Sequence, residues 1–328
     1  MRASAILKLA LVALSTIGVL GHPYLSEREL QEYKLNQARG IEALGNCLAS
    51  PEMHEHQKRM IEERTAALQH IRKARGVEFT LESRDKLSWL KWLSSTHEKH
   101  GHSKDPQDLF NFKWNEAPKA NTAGCVLTPQ SIYGPFWKDS QPERQDLRAG
   151  EEGVYMRLAM QVIDVTTCMP MQGARVDAWH ANAMGTYSGN ATGFLRGFQW
   201  SSGHGTADFD TIFPGHYTDR ATHVHVTVRP EGGKRYAHEG MIYFDEGVRG
   251  WIERNGAYKN NKQELKLNQD DDFAPMSASD RFDPLVQWQW VGRYISDGIL
   301  AWIALGVNAS DMGVPQPRKR TFDDHLDR

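Results

Sequence analysis

Thr222-His223-Val224-His225-Val226-Thr227-Val228 is the stretch from which the rest of this sequence is read. Its residue types alternate with a period of two, the repeat of a β-strand, where successive side chains point to opposite faces. Val224, Val226 and Val228 share one face and suit a core, while His223 and His225 stand side by side on the other. Residues two apart on a strand are roughly 6.5–7 Å apart at the backbone, so two ring nitrogens can tilt onto one metal ion. An HxH pair alone fits two solvated histidines as well.

Working outward, residues from about 123 onward read as short β-rich runs between turn residues, as in a sandwich or barrel. Leu158, Met160 and Val162 alternate with Arg157, Ala159 and Gln161, and further strands are expected over 175–180 and 241–244. Residues 24–102 read as helical instead. Ser26 with Glu29 forms a capping box, and Ile41, Leu44 and Leu48 recur on one helix face. A second helix is expected from Ser50-Pro51, carrying Ile61, Leu68 and Ile71 and ending in Arg72, Lys73, Arg75 and Gly76. A third candidate holds Leu87, Leu90 and Leu93. This block reads as packing or dimer surface. His54-Glu55-His56 repeats the HxH spacing, but on a helix such residues diverge, which makes it a solvated face. His97, His100 and His102 fall in a polar linker.

The 328 residues carry a formal charge of −2, which argues against a nucleic-acid binder and gives no reason to invoke a membrane surface. Arg2 and Lys8 precede an apolar run over 9–20, too short to span a bilayer comfortably, with a plausible cleavage point at Gly21. Residues 1–21 are therefore expected to be a signal peptide and the mature protein to be secreted. Cys47, Cys125 and Cys168 contain no CxxC pair, which excludes a zinc ribbon or a thioredoxin-like motif. One disulfide and one leftover thiol is the expected arithmetic outside the cell, with Cys125–Cys168 favoured because both fall in the sandwich region. Asn190 and Asn308 begin sequons that a eukaryotic host would glycosylate. Four segments are expected: the signal peptide 1–21, a helical region and linker 22–122, the β-sandwich 123–310 and a flexible, charged tail 311–328.

Before the HxH strand comes Pro214-Gly215-His216-Tyr217, then Asp219-Arg220, and the Pro-Gly turn can bring Tyr217 close to the histidines. Tyr187 lies in Gly185-Thr186-Tyr187-Ser188-Gly189. Together with Cys125-Val-Leu-Thr-Pro129, Gly134-Pro-Phe-Trp137, Val162-Ile-Asp-Val165, Thr167-Cys-Met-Pro170, Gly173-Ala-Arg-Val-Asp-Ala-Trp-His180, Phe194-Leu-Arg-Gly197 and Arg220-Ala-Thr-His-Val-His225, these make an ordered series. The series resembles the intradiol ring-cleaving dioxygenases of the catechol and protocatechuate type, most closely their secreted fungal-like branch, from about residue 125 to 307.

The resemblance implies a mainly β fold, a Greek-key-type antiparallel β-sandwich with an N-terminal α-helical region. It also implies one non-haem, mononuclear Fe(III) held by Tyr187, Tyr217, His223 and His225, with Tyr217 and Arg220 catalytic. Tyrosinate is a hard anionic donor and, with two imidazoles, suits Fe(III) better than Zn(II) or Cu(I). The implied partners are a small aromatic diol and O2, with a homodimer through the N-terminal helices. Catechol, hydroxyquinol and plant-derived caffeoyl compounds all remain open as substrates. One departure is Met241, which stands where family members often carry a glutamine, and a thioether cannot supply an amide's hydrogen bonds. Two alternatives remain. One is a non-enzymatic secreted β-sandwich that binds phenolics or metal. The other is a copper or zinc oxidoreductase that takes a third ligand from His180 or His216.

Overall fold

Two sheets stack face to face, and the valines of the HxH strand point into the space between them. The computed structural model describes residues 27–77, 124–126, 136–138, 140–190, 192–233, 238–271, 273–274 and 284–309. The expected signal peptide, Ser26 of the capping box, the third helical candidate, the His97–His102 linker histidines and the 311–328 tail lie outside these residues.

The smaller sheet has the order β5-β4-β7-β8, formed by Arg196–Trp200, Arg175–Trp179, His223–Arg229 and His238–Tyr243, and every pairing in it is antiparallel. The larger sheet runs β1-β10-β2-β3, from Gly124–Val126, Ile299–Val307, Tyr155–Asp164 and Met169–Pro170. To these β6 (Thr206–Ile212) adds beside β2, and β9 (Gln287–Trp290) beside β10. This sheet is mixed, because β10 pairs in parallel with both β1 and β2. The sandwich expected from the sequence is thus present, with one antiparallel and one mixed sheet. Leu158, Met160 and Val162 from one sheet and Val224, Val226 and Val228 from the other meet in a common core with Val176, Ala178 and Ile242. Full burial of each aliphatic side chain contributes about 1.5–3 kcal/mol.

The opposite face of the larger sheet is apolar too, and the helices cover it. Leu44, Leu48 and Met53 pack on Ile163, Val165 and Ala304, while Leu68 and Ile71 pack on Tyr155, Ala159, Leu300 and Trp302. Helix α1 is Glu27–Leu48 and α2 is Pro51–Ala74. Helix α2 begins as its sequence dictates, with Ser50 accepting from the Met53 amide and proline in the first turn. It ends in Arg72 and Lys73, with Gly76 at φ 63° just beyond. Arg72 and Arg75 then donate to the carbonyls of Val291, Ser296 and Asp297, tying the helix end to the sandwich.

The cysteine pairing differs from expectation. Cys168 is bonded to Cys47, with Cα atoms 4.8 Å apart, and not to Cys125. Cys125 sits on β1 opposite Leu305 of β10, which separates it from β2 and the turn that carries Cys168. Two strand spacings are roughly 10 Å, beyond the reach of a disulfide. The end of α1, laid across Val165, brings Cys47 to that turn instead. Membership of the same domain was a poor guide because the helix is packed onto the sheet.

Candidate metal centre

The outer face of the smaller sheet carries the site. Register places His225 between Trp179 of β4 and Met241 of β8, and His223 opposite Tyr243. The Trp179 indole stacks on the His225 ring, with centroids 4.9 Å apart and planes within 4°. His223 Nδ1 lies 2.6 Å from the Ala221 carbonyl, which can only accept, so Nδ1 carries the proton. Nε2 therefore turns its lone pair toward the site, 3.1 Å from His225 Nε2 and 3.3 Å from the Tyr217 hydroxyl.

Both tyrosines arrive on loops. Asp219, at φ 69°, closes a tight turn in which the Arg220 amide donates to the Tyr217 carbonyl, folding Tyr217 back over the start of β7. Tyr187 follows β4, and its ring meets Tyr217 edge-on at 5.4 Å and His225 at 6.1 Å. Phe136 stacks on the other side of Tyr187 at 4.2 Å. Beneath them, buried Arg196 donates to the carbonyls of Phe136 and Ser188 and so clamps the chain on both sides of this stack. The sequence thus placed Tyr187, Tyr217 and the His223–His225 pair in three separate stretches, and the fold brings all four residues together.

The electrostatics keep both phenols protonated. Burial pushes the Tyr187 phenol well above its ordinary pKa, Tyr217 adds to this, and Arg220 and Arg196 oppose it. Burial raises Tyr217 as well, with Arg220 pulling the other way. Neither phenol ionises near neutrality in this arrangement, even with Arg220 and Arg196 close by. The buried Tyr187 hydroxyl makes no well-formed hydrogen bond among the described residues, and the Tyr217 hydroxyl interacts with it only loosely.

Arg220 is buried at the edge of the site. One of its terminal nitrogens contacts Met241 Sδ at 3.0 Å and donates to the Tyr243 hydroxyl at 3.2 Å, and Phe273 covers its plane at 4.6 Å. Burial works against its charge, but Tyr243, Tyr217 and Asp271 more than offset this and raise its pKa. Met241 thus meets the guanidinium with its sulfur.

Neither extra histidine of the copper or zinc reading joins the site. His180 Nδ1 donates to the Ala181 carbonyl and Nε2 accepts from Thr211, and burial lowers its pKa to about 4. His216 is held between Glu253 at 2.9 Å and the Gln263 carbonyl at 3.0 Å. Among the described residues no three His, Cys, Asp or Glu side chains form a metal site.

Three supporting residues had no signal in the sequence. Asp271 sits in an Asn-Gln-Asp-Asp-Asp run that reads as solvated charge, Gln263 in a polar loop, and Glu253 at the end of the short helix α3 (Glu246–Ile252).

No family model matches this chain, and no curated protein matches it. Solved structures do. An intradiol ring-cleavage dioxygenase from Tetranychus urticae is 22% identical, covering 58% of this chain and 96% of that one, with a TM-score of 0.49. A catechol 1,2-dioxygenase from Pseudomonas arvilla C-1 is 22% identical over 62% of this chain and 69% of that one, with a TM-score of 0.42. The dioxygenase domain of a carbohydrate-binding fusion from Streptomyces sp. SirexAA-E is 22% identical over 58% and 100%, with a TM-score of 0.39.

Proposed function

We propose that this chain is an Fe(III)-dependent intradiol dioxygenase. It inserts both atoms of O2 into a catechol-type aromatic diol and cleaves the ring between the two hydroxylated carbons, giving a muconate-type diacid. The approach of the Tyr217 hydroxyl and of His225 Nε2 to His223 Nε2, at 3.3 and 3.1 Å, beside the buried Tyr187 hydroxyl, carries this reading. Two phenols and two imidazoles make a hard donor set that suits ferric iron. Iron held by these four residues would supply Lewis-acid activation of the diol toward O2.

The remaining steps belong to the protein. Tyr217, whose oxygen lies within hydrogen-bonding distance of His223 Nε2, would be a tyrosinate when it holds the metal, and that oxygen could then take the proton an incoming diol hydroxyl gives up, becoming a neutral phenol. Arg220 stays charged and offers a fixed fork of donors to negative charge on the substrate. Phe136, Trp179 and the tyrosine rings wall the site with aromatic surface and limit the entry of water.

We place the mature protein outside the cell, supported by the apolar run over 9–20 and by the Cys47–Cys168 bridge. Asn190 is exposed, as a glycan acceptor must be. A homodimer through the helices would use their outward faces, because Leu44, Leu48, Leu68 and Ile71 are committed to the sandwich.

Oxygen consumption with catechol, followed by mass analysis of the product formed under 18O2, tests the reaction. Both labelled atoms should appear in one diacid. No oxygen uptake by iron-loaded protein would leave the phenolic-binding alternative in its place.

A further inference from the structure

The two tyrosine loops are joined to each other by more than the metal they are proposed to share. At Gly185, which has φ 73°, a Cβ would collide with the His216 carbonyl and the Gln263 side-chain amide. At Gly215 a Cβ would meet the carbonyls of Asn182 and Ala183, and the Gly215 amide donates to Asn182. The loops therefore touch backbone to backbone, and one side chain spans the seam. Gln263 Nε2 donates to the Met184 carbonyl at 2.8 Å and the Gly185 carbonyl at 2.9 Å, on the Tyr187 side. Its Oε1 accepts from the Thr218 amide at 3.1 Å and contacts the Thr218 hydroxyl at 3.5 Å, on the Tyr217 side.

The orientation of this amide is fixed by its partners. The carbonyls of Met184 and Gly185 only accept and the Thr218 backbone N–H only donates, so a flipped amide would lose contacts at both ends. The backbone is anchored too. The Gln263 carbonyl accepts from His216 Nε2, and Asn261 holds the Gln263 amide with Oδ1 while donating to the His216 carbonyl with Nδ2. Glutamate would keep the acceptor but lose both donors and bring charge against two carbonyls. Leucine would lose every contact.

We propose that Gln263 is a positioning residue that sets the separation of Tyr187 and Tyr217, and that the donor geometry offered to iron depends on it. This rests on the reading of both tyrosines as ligands. It assigns no contact between Gln263 and substrate.

The test compares Gln263→Leu and Gln263→Glu with wild type and with Lys262→Ala, a change at the exposed neighbouring position. In metal-free protein, amide hydrogen exchange at Thr218 should be roughly tenfold faster in Gln263→Leu, since that N–H has lost its acceptor. In iron-loaded protein, both Gln263 variants should shift the tyrosinate-to-iron absorption band and release iron to a chelator roughly tenfold faster, as loss of outer support does at other metal sites. Lys262→Ala should change neither. The isosteric Gln263→Glu keeps the proposal testable if Gln263→Leu does not fold. Unchanged exchange at Thr218 overturns the brace. Faster exchange with an unchanged band and iron-release rate overturns its role in positioning. A wild-type protein with no tyrosinate band overturns the ligand reading itself, a result distinct from the other two.

Discussion

Arg220 Nε donates to Asp271 Oδ2 across 2.9 Å, and both side chains are almost wholly buried. The same Asp271 oxygen accepts from the Ala221 amide, and the other accepts from the amides of Phe273 and Ala274. Burial opposes the Asp271 charge, but Arg220 and these amides hold its pKa below the ordinary carboxylate value. The carboxylate thus fixes one edge of the guanidinium and pins the loop whose Phe273 covers its face. What holds Arg220 in place is a cage of contacts along one edge and over one face.

Asp271→Asn tests that cage. It preserves shape and removes the charge that balances a buried cation, so it should lower stability by about 3 kcal/mol in urea unfolding. Turnover of catechol should fall on the order of tenfold, about 1.4 kcal/mol, while iron content is unchanged. Loss of iron in step with activity would show that Asp271 supports the ligands instead.

Tyr187 and Tyr217 should behave differently on loss of the phenolic oxygen. Tyr187→Phe should cost iron affinity and colour. Tyr217→Phe should retain much of the iron but slow turnover, since its oxygen is the one assigned to proton transfer. Iron titration and oxygen-uptake rates separate the two cases, and full activity in both variants would refute the ligand assignment.

Acid should destabilise the fold through His180. Its pKa is about 4 in the folded protein, against 6.5 for an ordinary histidine, because burial disfavours the charged ring. As pH falls below 6.5 the unfolded chain takes up a proton that the native state refuses, so stability is lost until pH reaches about 4. The gap corresponds to about 3 kcal/mol at most. Urea unfolding between pH 7 and pH 4 should show this loss in wild type and a shallower decline in His180→Gln. Equal slopes would remove His180 as the cause.

The bridge between Cys47 and Cys168 closes a loop with a sequence separation of 121 residues. By the chain-entropy argument its loss in Cys47→Ser should cost about 4–5 kcal/mol, and strain in the native state would reduce that. Peptide mapping without reductant should recover Cys47 joined to Cys168 in the wild type and in Cys125→Ser. A Cys125–Cys168 peptide would contradict the fold described for α1.

The parts legible in the sequence were those set by local periodicity. The alternation through Val224, His225 and Val226 gave a strand with a core face and a site face, and Ser50-Pro51 marked the start of α2 to the residue. Long-range neighbours were harder. Cys47 was read as part of a separate helical block, yet the apolar outer face of the larger sheet drew that helix across Val165 and Ala304. Asp271, Gln263 and Glu253 come from polar stretches whose local pattern matches ordinary surface. Only the fold reveals that their partners are Arg220, the two tyrosine loops and His216. The mixed character of the larger sheet was also out of reach, because strand direction depends on connections and not on residue pattern.

The central claim is that Tyr187, Tyr217, His223 and His225 hold ferric iron that a catechol binds directly. It is tested most directly by the visible spectrum of the purified, iron-loaded protein, recorded before and after adding catechol without oxygen. The account predicts a broad wine-red tyrosinate-to-iron band that shifts when catechol is added. A protein that stays colourless after ferric iron is supplied, with or without catechol, would contradict it.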